Sequence, residues 1–182
     1  VDLILGKQCQ TKMGRGGIRP LEFKTFSKEM QNAITNYCQA GGNFFVSGAY
    51  VASDLWDNRL VKANEEDKKF AMEVLKYKWR VGQAARNGKV KSVASPFPEI
   101  TGSYTYYQDL NPESYVVESP DALEPAAQGA FTILRYSENN LSAGIAYKGN
   151  YKTCVLGFPF EAIRTVTERE LLMKAILTFF EH

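Results

Sequence analysis

The chain has 182 residues, 45% of them hydrophobic and 23% charged, which suits one folded domain with a sizeable core and excludes a disordered chain. Its net charge of +2 comes from 22 basic and 20 acidic side chains scattered through the sequence, without the basic stripe of a nucleic-acid-binding protein. The 3 cysteines (Cys9, Cys38, Cys154) include no C-x-x-C pair and the 1 histidine is the last residue, so neither a redox motif, a metal site nor a cofactor is signalled.

The opening "VDLILG" reads as a buried parallel strand closed by a glycine. The chain begins with Val and begins inside that strand, so we expect a domain from a longer protein. No apolar run reaches membrane-spanning length, and no membrane insertion is expected. A polar, glycine-rich stretch follows. Its Gly-Arg-Gly-Gly at 14–17 is read as a surface loop in preference to a backbone nest for an anion.

Ser27 is placed to cap a helix on which Met30, Ala33, Ile34, Tyr37 and Cys38 recur at helical spacing, and Gly41 and Gly42 supply its stop. "NFFVSG" at 43–48 is a second apolar strand, and the β-α-β succession argues for parallel pairing. "AYVASDLWD" at 49–57 continues as a short helix. Asn64 caps the next one, with Glu65, Glu66 and Asp67 in its first turn and Phe70, Met72, Val74 and Leu75 as its apolar content. Between about 78 and 148, short β-rich pieces alternate with Gly, Pro, Asn and Asp, as in an antiparallel meander appended to the sheet. "KTCVLGF" at 152–158 is another apolar strand. A capping box at 167–170 opens the last helix, whose apolar face is Leu171, Leu172, Ala175, Ile176 and Phe179. No linker divides the chain, so 1–182 is read as a single domain.

The chemistry is limited by the missing imidazole. A Ser-His-Asp or Cys-His-Glu triad needs a histidine held against the nucleophile, and a C-terminal residue is poorly placed to be held. Ser47-Gly48 ends a strand where several enzymes place a nucleophile. Ser47, with Asp54 and Glu161 as acids and either Glu161 or an unassigned lysine to take its proton, is therefore the candidate catalytic set, although the bland alternative is a tight turn with a capping hydroxyl. "GFPFE" at 157–161 makes a rigid turn at a strand's carboxyl end, where open α/β sheets bind ligands. Gly48, Tyr50, Phe158 and Phe160 are the candidate ligand contacts there. In "SYTYYQ", Tyr104 and Tyr106 share one strand face and Tyr107 takes the other; flat rings of this kind suit stacking on sugars or ordinary cross-strand pairing.

The phrases "GGNFFVSGAYVASDLW" and "AGIAYKGNYKTCVLGFPFEAIR", with "VDLILGKQ" before them and "RELLMKAILTFF" after, resemble the class I glutamine amidotransferase-like, flavodoxin-like domain. The closer likeness is to the version in secreted Bacteroidetes proteins labelled xanthan lyase or golvesin-like. The resemblance implies a three-layer α/β/α sandwich with the β-rich segment appended, and a secreted or cell-envelope location. It also implies a lost active site: Ser47-Gly48 stands where the family has its cysteine elbow, and Pro159 stands where Phe-His-Pro-Glu has its histidine. We therefore expect a non-catalytic binding or scaffolding domain, a pseudoenzyme whose partners are carbohydrate or other domains of its parent. A polysaccharide-active hydrolase or lyase using Ser47, Asp54 and Glu161 is the alternative. A flavin or nucleotide binder is suggested by the expected fold alone.

Overall fold

The computed structural model describes residues 1–12, 21–56 and 64–182, and the Gly-Arg-Gly-Gly stretch at 14–17 lies outside them. Strand β1 (Asp2–Ile4) leads through the short pair β2 (Thr11–Lys12) and β3 (Leu21–Glu22) to helix α1 (Lys28–Gln39). Ser27 caps α1 as expected: its Oγ accepts from the Met30 N–H at 3.3 Å, satisfying a donor that a helix start leaves open. The buried face is Gln31, Ile34 and Cys38, while Ala33 and Tyr37 of the expected stripe are exposed. Gly41 ends the helix region with a φ of +87°, a left-handed conformation that favours glycine. Strand β4 (Phe44–Ser47), the four-residue α2 (Ser53–Trp56), α3 (Glu65–Phe70) and a π-helical turn at Ala71–Leu75 follow. Asn64 caps α3, its Oδ1 accepting from the Glu66 N–H at 2.9 Å.

The remaining elements are β5 (Tyr77–Val81), β6 (Lys89–Ser92), β7 (Ser103–Thr105), β8 (Ala122–Pro125), β9 (Ala130–Tyr136), β10 (Ser142–Lys148), β11 (Lys152–Leu156), a 3-10 turn at Phe160–Ala162 and α4 (Val166–Glu181). Seven strands form one mixed sheet in the order β1-β4-β11-β10-β9-β6-β7. The pairs β1–β4 and β4–β11 are parallel; every pair beyond β11 is antiparallel. Strands β5 and β8 make a separate antiparallel pair.

This overturns the expected three-layer α/β/α sandwich of flavodoxin or glutamine amidotransferase type. The protein is mostly β, a curled half-barrel sheet with four α-helices among the described residues, two of them only four and six residues long. The cause lies in the segment at 78–148. It is not an appendage: it supplies β6, β7, β9 and β10, four of the seven strands. Strands β9, β10 and β11 are joined by short turns, which enforce antiparallel pairing, and β6 pairs antiparallel with both β9 and β7. The opening β-α-β unit is real, but it builds only one end of the sheet. There β1 is parallel as expected, yet it is an edge strand with Asp2 and Ile4 exposed.

The two sheet faces carry separate apolar clusters. Phe45, Cys154 and Leu156 face Leu172, Ala175, Ile176 and Phe179 of α4. Phe44, Val46 and Val155 face Ile34 and Cys38 of α1 together with Leu55, Phe70 and Tyr77. Cys38 and Cys154 are thus buried small hydrophobes, and burial pushes the Cys38 thiol up to about 11. Two details of α4 differ from the sequence reading. Leu171 is outside the buried face, and the capping box is Thr165 with Glu168, not the pair at 167 and 170. The Arg164 N–H bonds the Thr105 carbonyl at 2.7 Å, which keeps the chain extended until Thr165.

Candidate functional site

Because β1, β4 and β11 run parallel, their carboxyl ends come together, with Ile4 beside Ser47 and Ser47 beside Leu156. Ser47 is wholly buried there. Its Oγ accepts from the Phe160 N–H at 3.2 Å, and its carbonyl accepts from the Leu5 N–H at 2.9 Å. The turn after β11 therefore closes over the elbow, and the group resting on the hydroxyl is a main-chain amide, which cannot take its proton. Gly48 lies in close approach: a Cβ there would stand 3.1 Å from the Leu5 Cβ, so that side chain would have to give by a few tenths of an ångström.

Neither candidate acid hydrogen-bonds Ser47. Asp54 is buried, and its carboxylate accepts the N–H groups of Gln10 and Thr25, each at 2.9 Å, fastening two loops to α2. Glu161 sits in the 3-10 turn. Its Oε1 accepts from the Tyr115 hydroxyl, while its Oε2 is buried without a hydrogen-bond partner. Glu161 is thus on the same strand edge as Ser47, bracketed by Phe160, whereas Asp54 is engaged elsewhere.

The candidate aromatic contacts are mostly core. Phe158 is fully buried and stacks on Tyr106 at 4.9 Å between centroids. Phe160 meets Phe45 edge-on at 5.8 Å. Tyr104 is buried and donates its hydroxyl to the Thr101 carbonyl at 3.0 Å. The alternation expected along "SYTYYQ" holds, but it turns Tyr104 and Tyr106 inward, so neither offers a flat face to a sugar. Tyr107 is the ring left partly exposed; Arg164 lies 5.1 Å from its centroid, and its hydroxyl donates to Glu113. Tyr50 is half-buried against the α4-side cluster, and burial raises its hydroxyl pKa.

Sequence reasoning missed Asp121. This carboxyl is completely buried between the segment after the elbow and the turn after β11. Its Oδ2 accepts from the N–H groups of Ala52 and Ser53, both at 2.8 Å, and from the Ser53 hydroxyl at 3.2 Å. Its main chain is held by Gly157 and by the Tyr136 hydroxyl, each at 2.7 Å. Oδ1 has no hydrogen-bond partner; the Trp79 indole N–H acts on the same carboxylate without reaching hydrogen-bond geometry. Burial lifts the Asp121 pKa to about 7 against the opposing pull of these donors. Only a turn signal, Ser119-Pro120, marked the place in the sequence.

Beside the elbow lies a cavity of about 320 Å³ lined by Ile4, Tyr107, Glu113, Ser114, Phe160, Glu161, Arg164 and Arg169. Its position outside the ends of β1 and β11 is where parallel strands usually present ligands. No cluster of His, Cys, Asp and Glu among the described residues is fit to hold a metal ion.

No family model and no curated protein matches the chain. Among solved structures it is similar to a cold-adapted β-galactosidase from Rahnella sp. R3, with a TM-score of 0.54 and 14% identity over 85% of this chain. The chain spans 21% of that protein's length. It is also similar to the mmIFT52 N-terminal domain, with a TM-score of 0.45 and 15% identity over 86% of this chain and 72% of that one. Neither is described as a glutamine amidotransferase. At such identities the likeness to the β-galactosidase concerns the fold. No helix among the described residues is long and apolar enough to cross a membrane.

Proposed function

We propose that this is a non-catalytic, carbohydrate-associated binding or scaffolding domain of a larger secreted or cell-envelope protein. In this reading the turn after β4 is a structural joint. The observation that carries it is the state of Ser47: fully buried, with its hydroxyl accepting a hydrogen bond from the Phe160 main chain. A nucleophile needs an approach path and a base within reach of its proton. Ser47 has a peptide amide in that place, and the Asp54 carboxylate is engaged by loop N–H groups.

The test is a turnover screen of the purified domain against aryl esters, aryl glycosides and uronate-containing polysaccharides, with Ser47→Ala as the control. We expect the two proteins to be indistinguishable from buffer. Turnover by the wild type that Ser47→Ala abolishes overturns the reading in favour of the hydrolase or lyase.

A further inference from the structure

The cavity beside the elbow has a lining of unusual balance. Two guanidinium groups, Arg164 and Arg169, stand with two carboxylates, Glu113 and Glu161. All four are partly held by the protein itself. Arg164 pairs with Asp109, Arg169 donates to the Ile163 carbonyl, Glu113 accepts from Tyr107, and Glu161 accepts from Tyr115. Each keeps hydrogen-bonding capacity beyond that, because a guanidinium carries five N–H donors and a carboxylate about four acceptor positions. Glu161 is the most under-used, since Oε2 is buried with no partner at all.

The lining selects by charge. A simple anion meets Glu113 and Glu161, and a simple cation meets Arg164 and Arg169. A neutral polyol meets no net repulsion: each hydroxyl can donate to a carboxylate and accept from a guanidinium. The same cavity has an apolar wall. Ile4 is 47% exposed at the end of β1, and the largely buried Phe160 is a second apolar residue of the lining. A pyranose needs this combination, with hydroxyl partners around its rim and an apolar surface for its C–H face. The volume of about 320 Å³ lies at the small end of ligand cavities, suited to one ring and some water.

We infer that this cavity binds a single neutral sugar ring, with Glu113 and Glu161 as hydroxyl acceptors, Arg164 and Arg169 as donors, and Ile4 and Phe160 as the apolar wall. The inference rests on the binding-module reading and gives it a place and a ligand class.

The experiment is ligand-observed NMR with D-glucose, D-galactose, D-mannose and D-xylose, set against D-glucuronate and L-alanine. The proteins are the wild type, Glu161→Gln and Ile4→Arg. Ile4→Arg fills the cavity mouth from an exposed position, and thermal unfolding of both variants checks that they fold. We expect at least one neutral sugar to bind, Glu161→Gln to weaken it about tenfold, and Ile4→Arg to abolish it. Preference for D-glucuronate or L-alanine overturns the inference, as does failure of the wild type to bind any neutral sugar. Sugar binding unaltered by either folded variant also overturns it, while leaving the binding-module reading intact. Turnover dependent on Ser47 would instead remove that reading alone.

Discussion

Asp121 keeps its proton to a pH at which an exposed aspartate has lost it, because removal from water disfavours the charge more than the Ser53 and Ala52 donors favour it. Its folded pKa of about 7 stands above the ordinary 3.8. The stability this group contributes is therefore fully present below 3.8 and is lost as pH rises through about 7. The difference is worth at most about 4 kcal/mol. Asp121→Asn should match the wild type near pH 4 and exceed it in melting temperature near pH 9; a constant offset across that range would show that Asp121 does not titrate there. At Ser47 the expected effect is structural. Ser47→Ala strands the buried Phe160 N–H and should lower unfolding free energy by about 1–2 kcal/mol, read by denaturant titration. The two residues differ in how far the sequence revealed them. Ser47 and the Gly-Phe-Pro-Phe-Glu turn both end apolar strands, so their meeting could be expected. Asp121 binds Ala52 and Ser53 across separations of 69 and 68 residues, and no local spacing records such a contact.

The start of α4 is written twice in the sequence, as Thr165 with Glu168 and as Thr167 with Glu170, and the pattern alone does not choose between them. The choice comes from outside the helix, where Thr105 holds the Arg164 amide and Tyr106 bridges to Ile163. Thr165→Ala should cost about 1 kcal/mol of stability, whereas Thr167→Ala should stay within roughly 0.5 kcal/mol of the wild type. Chemical denaturation of the two variants separates them, and equal effects would contradict the observed cap. The β11 turn is less forgiving. A Cβ on Gly157 would lie 2.0 Å from the Asp121 carbonyl, so Gly157→Ala must displace main chain. We expect it to abolish cooperative unfolding or lower the midpoint more than Ser47→Ala does. Individual elements were readable because caps, glycine stops and apolar runs are local. Which face a residue takes was less so: Leu171 and Tyr37 fit their apolar stripes, yet both remain exposed.

Across the whole molecule, the sheet has a parallel part made by β1, β4 and β11 and an antiparallel part made by β10, β9, β6 and β7. The first part resembles an α/β protein, and its motifs dominated the sequence reading. The second was visible as strands but not as members of the same sheet, since alternation and turns identify strands without naming their neighbours. A deletion of 78–148 tests the point: an appendage could be removed, but loss of four of the seven strands should leave no cooperative transition by circular dichroism. The arrangement also has a consequence in time. Strands β9, β10 and β11 follow directly in the chain, and hairpins of this kind close within microseconds. Strand β4 must wait for β11, since Phe44 pairs with Thr153, and such distant pairings form slowly. On the ribosome, β4 leaves the exit tunnel with an apolar surface and no inner neighbour until almost the whole domain has been translated. The sheet is therefore completed toward the strands that were synthesised first, and pulse-labelled hydrogen exchange during refolding should find the amides of β9–β11 protected before those of β1 and β4.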